Sequence, residues 1–271
     1  MNNSYLKACE KNNCTVVRTL LFCGADVNWR RDANPGGLYI AARNNYGELL
    51  ELLLAQTGVD VNIGGGDNIN STPMMIACAL GRENIVRRLC QVPDIQLNRR
   101  DDRGATALNW AVSHNKPACV SVLREVADSV DWNVSHLSGN GECPLLEAAY
   151  CGYADVLQIL LSVPEPHLDL SVTCMGRNVA QHVVVEDRGD RQRCFEVLSG
   201  DRRVDWNFKN QFGDTPLMFC LKASKRDGKI EMARCLINTP GVDLDIVDRD
   251  GRHLEDIARS GFISLEQSNN F

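Results

Sequence analysis

Hydrophobic residues recur along the chain in short helical patterns, and the clearest instance is the stretch 71–98. Thr72 can cap a helix that starts at Pro73, because the N–H that proline lacks has no partner in the first turn of a helix. Gly81 ends that helix after about two turns. A second helix follows, with apolar side chains on one face and two arginines on the other, and Pro93 prevents it from continuing. The pattern predicts two short helices joined by a turn.

The same pattern returns about every 35 residues when the chain is compared with itself. The positions equivalent to Thr72 are Asn3, Gly36, Thr106, Cys143, Asn178, Thr215 and His253. Five residues after each of them, most copies carry a small side chain that lets the two helices pack closely. One such helix pair buries too little apolar surface to be stable alone, so the copies must stack on one another.

Several phrases within the copies point to one repeat family. They are Thr72-Pro73-Met74, Cys143-Pro144-Leu145, Thr215-Pro216-Leu217, Gly24-Ala25-Asp26-Val27-Asn28 and Asp248-Arg249-Asp250-Gly251. Over about residues 3–262, these phrases and the repeat length resemble those of ankyrin repeats. The resemblance implies an all-α fold, an ankyrin-repeat solenoid of stacked helix-turn-helix units with short β-hairpin-like fingers.

The chain departs from the ankyrin pattern at one position. The histidine that usually follows the leucine of the first helix is replaced by other residues, among them Tyr39, Met75, Asn109, Leu146 and Met218. In ankyrin repeats this histidine helps to hydrogen-bond neighbouring units. We therefore expect a weaker and less regular polar ladder, without a change of fold.

We expect a single ankyrin-repeat domain over residues 1–271. Its units cover about residues 3–35, 36–71, 72–105, 106–142, 143–177, 178–214 and 215–252, with a closing half-unit at 253–271. The glycines at 64–66 predict a widened and mobile finger. The turns between the helices of units six and seven are enlarged near 187–191 and 224–228, and two interpretations stay open: a binding side of the solenoid, or neutral drift in an exposed turn.

The charge distribution and the length of the apolar runs indicate which kinds of partner this chain is not expected to bind. The formal net charge is −6, and residues 136–271 hold all the excess acid, with 15 Lys+Arg against 21 Asp+Glu. There is no basic stripe that would follow phosphates, which argues against nucleic acid as the main partner. No apolar run approaches membrane-spanning length, and the start of the chain does not resemble a signal peptide. We expect no membrane association, and a monomer.

The cysteines favour a reduced, intracellular protein. Most of the 12 cysteines stand at helix-packing positions, where they serve as small apolar residues that need no partner. The prediction is a cytoplasmic location, with the nucleus left open.

The sequence contains no complete catalytic or metal-binding motif. The glycines at 64–66 lack the Lys-Ser/Thr of a phosphate loop, and the five histidines are scattered without zinc-like spacing. The aspartates between Asp243 and Asp250 do not fit an EF-hand frame. We therefore expect no catalytic residues, no metal and no cofactor. A cysteine nucleophile could be assembled only by folding, and a cysteine-dependent enzyme stays as a remote alternative.

The ankyrin resemblance implies where a partner would bind: at the finger tips and at the two residues that follow the small pair of each first helix. The candidate residues are Trp29, Arg30, Arg43, Asn44, Leu80, Arg100, Arg103, His114, Tyr150, Lys209 and Phe212. Each one alone is more often an ordinary surface residue. The arginines suggest an acidic or mixed-charge peptide over units two to four. Of the tryptophans, Trp29 is the exposed candidate, and packing is the expected role of the other three.

The expected function is a non-catalytic protein–protein interaction scaffold or adaptor that binds through the concave groove of first helices and fingers. The alternative is an inhibitor or substrate-recruiting subunit of an enzyme complex. In some ankyrin proteins the closing asparagine is hydroxylated by an oxygenase that favours a leucine eight positions upstream. Asn28 and Asn62 match that pattern, although a purely structural role is the default.

Overall fold

The computed structural model describes residues 1–30, 35–65, 69–135, 143–185, 189–223 and 229–260. Its contacts divide the chain into two compact units. Unit 1 is Met1–Pro144 with Val163–His167, and unit 2 is Leu145–Ser162 with the chain from Leu168 onward.

Unit 1 consists of pairs of short helices, and within each pair a turn joins the first helix to the second. The pairs are α1 (Asn2–Glu10) and α2 (Cys14–Phe22), α3 (Gly37–Asn44) and α4 (Gly47–Leu54), α5 (Pro73–Ala79) and α6 (Glu83–Cys90), and α7 (Ala107–Ser113) and α8 (Pro117–Arg124), followed by a 3₁₀ turn at Ala127–Ser129. First helices pack on first helices, and second helices pack on second helices. The predicted stack of helix pairs is confirmed.

Unit 2 repeats the arrangement. Its helices are α9 (Pro144–Cys151) and α10 (Ala154–Leu161), α11 (Val179–Val185) and α12 (Arg191–Ser199), α13 (Pro216–Lys222) and α14 (Lys229–Ile237), and the closing helix α15 (Leu254–Ser260). Helices α11, α13 and α15 pack on one another as first helices, and α10 packs on α12. Helix α15 lies where the sequence predicts the closing half-unit, and the unit boundaries stay a prediction.

Helices α5 and α6 show how the sequence sets each pair. The Thr72 hydroxyl accepts a hydrogen bond from the Met75 N–H at 3.2 Å, and Pro73 occupies the first helical position. Gly81 adopts φ = +69°, a left-handed conformation that ends the first helix at little cost for glycine. The second helix buries three of the predicted apolar residues, Ile85, Val86 and Leu89.

A ladder of asparagines joins consecutive repeats. The Asn62 side chain donates to the Asp94 carbonyl at 2.7 Å and accepts from the Gln96 N–H at 2.8 Å, so one amide satisfies both a donor and an acceptor of the next repeat. The same two bonds, at 2.7–2.9 Å, are made by Asn28, Asn98 and Asn207. The closing asparagine is therefore a regular polar link between repeats.

The position that lacks the usual histidine is less regular, as expected. Asn109 Nδ2 donates to the Val134 carbonyl at 3.2 Å. Gln181 Nε2 donates to the Phe208 and Asp214 carbonyls at 3.1 and 2.7 Å. Other first helices carry apolar residues there, among them Met75, Leu146 and Met218. Two amides thus replace the histidine, and the closing asparagines supply the continuous part of the ladder.

The structure describes the base of the glycine-rich finger. Gly64 and Gly65 are buried, and the Gly65 N–H donates to the Ser71 carbonyl at 2.5 Å. A Cβ on Gly65 would lie 2.3 Å from Cδ2 of Tyr39 and 2.7 Å from the Ser71 oxygen. Gly64 and Gly65 are therefore closely packed at the base of the finger, and mobility of the finger stays a prediction. Gly66 lies outside the described residues.

Unit 2 buries two ionisable side chains that the sequence patterns did not single out. Lys229, at the start of α14, donates to the carbonyls of Val184 and Val185 at the end of α11, the second of them at 3.1 Å. His182 of α11 is buried, and neither ring nitrogen has a hydrogen-bond partner among the described residues. Burial, together with the charge of Arg177, lowers the pKa of His182 to about 4. The imidazole is therefore neutral at pH 7.

Replacement of Asn62 by alanine tests the ladder. Asn62→Ala removes two bonds at an amide that is only 8% exposed, so we expect a loss of about 2 kcal/mol in the free energy of unfolding. The measurement is urea unfolding followed by circular dichroism. Asn98→Ala removes the same two bonds at an exposed amide and should cost about half as much. Equal stability of Asn62→Ala and the wild type would contradict a structural role for the ladder.

Acid should weaken the fold through His182. In the unfolded chain His182 becomes protonated below its ordinary pKa of about 6.5. In the folded chain it becomes protonated only near pH 4. Stability is therefore lost as the pH falls, by about 2 kcal/mol from this group between pH 7 and pH 5. His182→Leu should remove that part of the pH dependence in urea unfolding. Unchanged pH dependence in His182→Leu would refute this assignment.

Candidate partner-binding surface

The candidate residues at the ends of the first helices of unit 1 lie at the surface. Arg43, at the end of α3, is exposed, and Asn44 beside it is partly exposed. Leu80 follows α5 and is 40% exposed, which is unusual for a leucine beside a close-packed helix. His114 follows α7 and is also exposed. The register of the repeats thus brings Asn44, Leu80 and His114 to equivalent places on successive first helices, and Arg43 lies one position before Asn44.

A fixed aromatic pair lies at the end of α7. The His114 ring stacks on the Trp110 indole with ring centres 5.5 Å apart and planes 2° apart. His114 Nδ1–H donates to the Trp110 carbonyl at 3.0 Å, and Trp110 Nε1–H donates to the Asp101 carboxylate at 3.0 Å. Trp110 was expected to serve only in packing, but it is partly exposed. The finger and the helix together therefore present a rigid aromatic surface.

Asp101 also shapes the finger itself. Its carboxylate accepts from the Arg103 and Ala105 N–H groups at 2.9 and 2.8 Å. Gly104 closes the turn with φ = +78°. Asn210–Gly213 and Asp248–Gly251 form the same turn, so an Asp/Asn-x-x-Gly pattern marks three fingers. That pattern is readable in the sequence and could have identified Asp101.

The arginines of unit 1 fall into two groups. Arg30 donates to the Gly64 carbonyl at 2.5 Å, and Arg100 donates to the Ser135 carbonyl at 3.3 Å, so both link one finger to the next. The guanidinium groups of Arg43 and Arg103 are exposed and form no ion pair with a described residue. The surface therefore carries positive charge that the described part of unit 1 leaves uncompensated at these two sites.

Trp29 differs from the expected exposed residue. It is half-buried, and its Nε1 is buried without a hydrogen-bond partner among the described residues. Its carbonyl oxygen lies 3.6 Å from the place of a Cβ on Gly36, so the residue packs at the base of its finger.

The candidates of unit 2 occupy different surroundings. Tyr150 of α9 is half-buried, with its ring at an edge-on angle to His182 and 6.0 Å away. Lys209 is exposed, and its Nζ lies 3.5 Å from the Val247 carbonyl. Phe212 stands at a finger tip with 58% of its surface exposed. Tyr150 therefore serves packing as well as any binding role, whereas Phe212 projects freely.

The two asparagines considered for hydroxylation both belong to the ladder. Each side-chain amide of Asn28 and Asn62 bonds the following repeat through its nitrogen and its oxygen. Hydroxylation of either residue stays a prediction.

The enlarged turns are described only in part, because 186–188 and 224–228 lie outside the described residues. In the first turn, the Asp190 N–H donates to the Gly152 carbonyl at 3.0 Å. Gly189 lies so close to the same turn that a Cβ on it would stand 2.4 Å from the Cys151 oxygen. This end of the extra segment is therefore packed on the preceding helix pair.

The thiols show what cysteine chemistry the interior permits. All twelve cysteines are free, and burial raises the pKa of Cys9, Cys194 and Cys220 to about 12. A hydrogen bond with Cys78 lowers the pKa of Cys119, but that thiol is buried. Among the described residues, no cluster of His, Cys, Asp and Glu side chains could hold a metal ion. None of the described helices combines the length and hydrophobicity needed to cross a bilayer.

Known proteins similar to this chain differ widely in name and in length. A bovine mitochondrial disaggregase is 23% identical over 97% of the chain but over only 36% of its own length. A human SMC5-SMC6 complex localization factor is 30% identical over 51% of the chain and 12% of its length. A putative ankyrin repeat protein of Rickettsia bellii is 29% identical over 56% of the chain and 74% of its length. The chain thus spans about a third or less of the first two relatives.

A solved structure and two family models agree on the fold. The crystal structure of the ankyrin repeat domain of Bcl-3, of the IkappaB protein family, superposes with a TM-score of 0.68 at 20% identity, covering 82% of this chain and 93% of that one. The model for ankyrin repeats in three copies matches residues 6–101 and 93–173, and that for a single ankyrin repeat matches 212–249. With well over half of its length matched, the chain belongs to the ankyrin-repeat family.

Proposed function

We propose that the chain is a non-catalytic scaffold or adaptor that binds a partner protein through the first-helix ends and fingers of unit 1. The observation that carries this proposal is the stacked pair Trp110–His114, which Asp101 holds in place at a partly exposed position. Interfaces are enriched in aromatic residues and arginine, and Arg103 projects from the same finger as Asp101. Because these groups are already fixed, a partner would order few side chains on binding.

The partner that suits this surface is an acidic or mixed-charge peptide or loop. Arg43 and Arg103 offer guanidinium groups without ion pairs to described residues, and Arg100 keeps an exposed side chain beside them. Asp101, the buried carboxylate of this finger, is engaged by backbone N–H groups and by Trp110. Complementary charge would therefore come from the partner, and it would speed association as well as orient the partner.

An inhibitor or substrate-recruiting subunit of an enzyme complex is the alternative, and it would use the same surface. The human relative named as a complex localization factor favours the adaptor form, since its name describes the localization of a protein complex. Identification of a co-purified partner separates the two. We also propose a monomer in the cytoplasm or nucleus, because a reducing compartment suits twelve free cysteines.

Removal of two arginines tests the surface. Arg100→Ala with Arg103→Ala should weaken the affinity for a partner identified by affinity purification and mass spectrometry, by about tenfold, because both groups lie at the proposed contact. Isothermal titration gives the affinity. The matched control is Arg87→Ala with Arg88→Ala, which removes the same charge from second helix α6 and should leave binding unchanged. Equal affinities for both double variants and the wild type would remove this surface from consideration.

Thiol alkylation tests the remote alternative of a cysteine-dependent enzyme. In the native chain, iodoacetamide should modify the buried Cys9, Cys194 and Cys220 at least about tenfold more slowly than the exposed Cys23, because their raised pKa values keep them protonated. Mass spectrometry of digested samples gives the rate at each site. A rate at Cys119 above that at Cys23 would favour the enzyme.

A further inference from the structure

The finger tips of unit 2 differ in chemistry from the tip described in unit 1. The tip residue stands three positions before the residue that starts the next first helix, and it is Arg103 in unit 1. In unit 2 the equivalent residues are Met175, Phe212 and Asp250, and the first two are 56% and 58% exposed. Large apolar side chains on neighbouring projections lose contact with water only if another molecule covers them.

Met175 also conflicts with its own backbone. Cys174 and Arg177 exchange two backbone hydrogen bonds of 3.0 and 2.9 Å across a two-residue turn. Met175 has φ = +52° and Gly176 has φ = +69°, the combination of a type I′ turn. Asn and Gly are the residues that suit the first of these positions, and a long side chain there is strained. The backbone conformation therefore does not favour methionine at this position, and more than half of its surface stays exposed.

Hydrogen bonds of the finger fix the backbone at Phe212. The Asn210 side chain accepts from the N–H groups of Phe212 and Asp214 at 2.9 and 3.0 Å, while the Asn210 N–H donates to the Asp214 carbonyl at 3.0 Å. A Cβ on Gly176 would lie 3.6 Å from the Cβ of Gln211, so the two tips are direct neighbours. Stacked helices lie about 10 Å apart, which sets the approximate spacing of the two side chains.

The charge around these tips is positive, although the second half of the chain is acidic overall. Nearby carboxylates have partners within the chain: Asp214 pairs with Lys222 at 2.5 Å, and Arg252 pairs with Asp248 at 2.7 Å and with Asp250 at 3.2 Å. Lys209 and Arg249 are exposed and form no ion pair with a described residue. An occupant with carboxylates would therefore complement this surface.

We propose that Met175 and Phe212 form a pair of apolar anchors for a peptide segment of another protein. The segment carries two large apolar side chains about 10 Å apart on one side, with carboxylates beside them. Residues i and i+3 of a polyproline II segment, about 9 Å apart, meet this spacing, as do residues i and i+7 of a helix, about 10.5 Å apart. This inference rests on the proposed protein-binding function and extends it to unit 2.

Selection from a displayed library of random linear peptides, with the whole chain as target, tests the proposal. We expect the enriched peptides to contain two large apolar residues at one of these spacings, together with Asp or Glu. Fluorescence anisotropy of a selected peptide should show affinity reduced at least tenfold by Met175→Asn and by Phe212→Ser. Because asparagine suits the turn, Met175→Asn should also raise the melting temperature, by about 2 °C. A higher melting temperature together with a weaker affinity would exclude unfolding as the cause of the lost affinity.

Two controls make the outcomes distinct. Leu244→Asn removes another exposed apolar side chain of unit 2 that is not at a finger tip, and it should leave the affinity unchanged. Peptides that respond to the Arg100 and Arg103 double variant but not to Met175→Asn would overturn this inference and leave the proposed function standing. Peptides insensitive to both sets of changes would contradict both. Self-association in sedimentation that Met175→Asn abolishes would assign the tips to a second copy of the chain instead.

Discussion

Each helix pair depends on its neighbours for stability, because seven to nine residues per helix bury too little surface for independent folding. Two kinds of contact meet this need. The apolar faces of the helices pack between repeats, and the closing asparagines satisfy the backbone groups that packing would otherwise leave unpaired. Asn62 is an example of the second kind of contact, since its one side chain supplies both a donor and an acceptor to the next repeat.

The side chains at the finger tips take no part in these contacts. In the fingers that start at Asp101, Asn210 and Asp248, one side chain at the base accepts the N–H groups of the turn, and a glycine takes the left-handed position. The tip residue between them contributes nothing to these bonds through its side chain. The turn therefore does not constrain its identity, and arginine, phenylalanine and aspartate stand on one backbone conformation.

The sequence predicted the framework because its signals are local. A capping threonine, a proline and a glycine define each helix pair within a few residues, as in α5 and α6, and the repeat register then places Arg43, Arg103, His114 and Phe212 at the surface. Contacts between distant residues were not predictable in this way. The Trp110–His114 stack depends on a carboxylate nine residues away, and Gly65 packs against Tyr39, a residue of the first helix of its own repeat. Such details follow from the side-chain positions that only the folded chain defines.

Lys229 is the first residue after the enlarged turn between α13 and α14. The extra residues between α13 and α14 place a lysine at the first position of α14, where its ammonium group reaches the last carbonyls of α11. A cation at the carboxyl end of a helix is stabilised by the helix dipole, and the Phe219 ring lies 5.9 Å from the nitrogen. A buried ammonium group is costly without such partners, so a change in this turn that displaced Lys229 would destabilise unit 2. The contact of Lys229 with α11 is therefore part of the packing between consecutive repeats, whereas residues 224–228 of the turn lie outside the described residues.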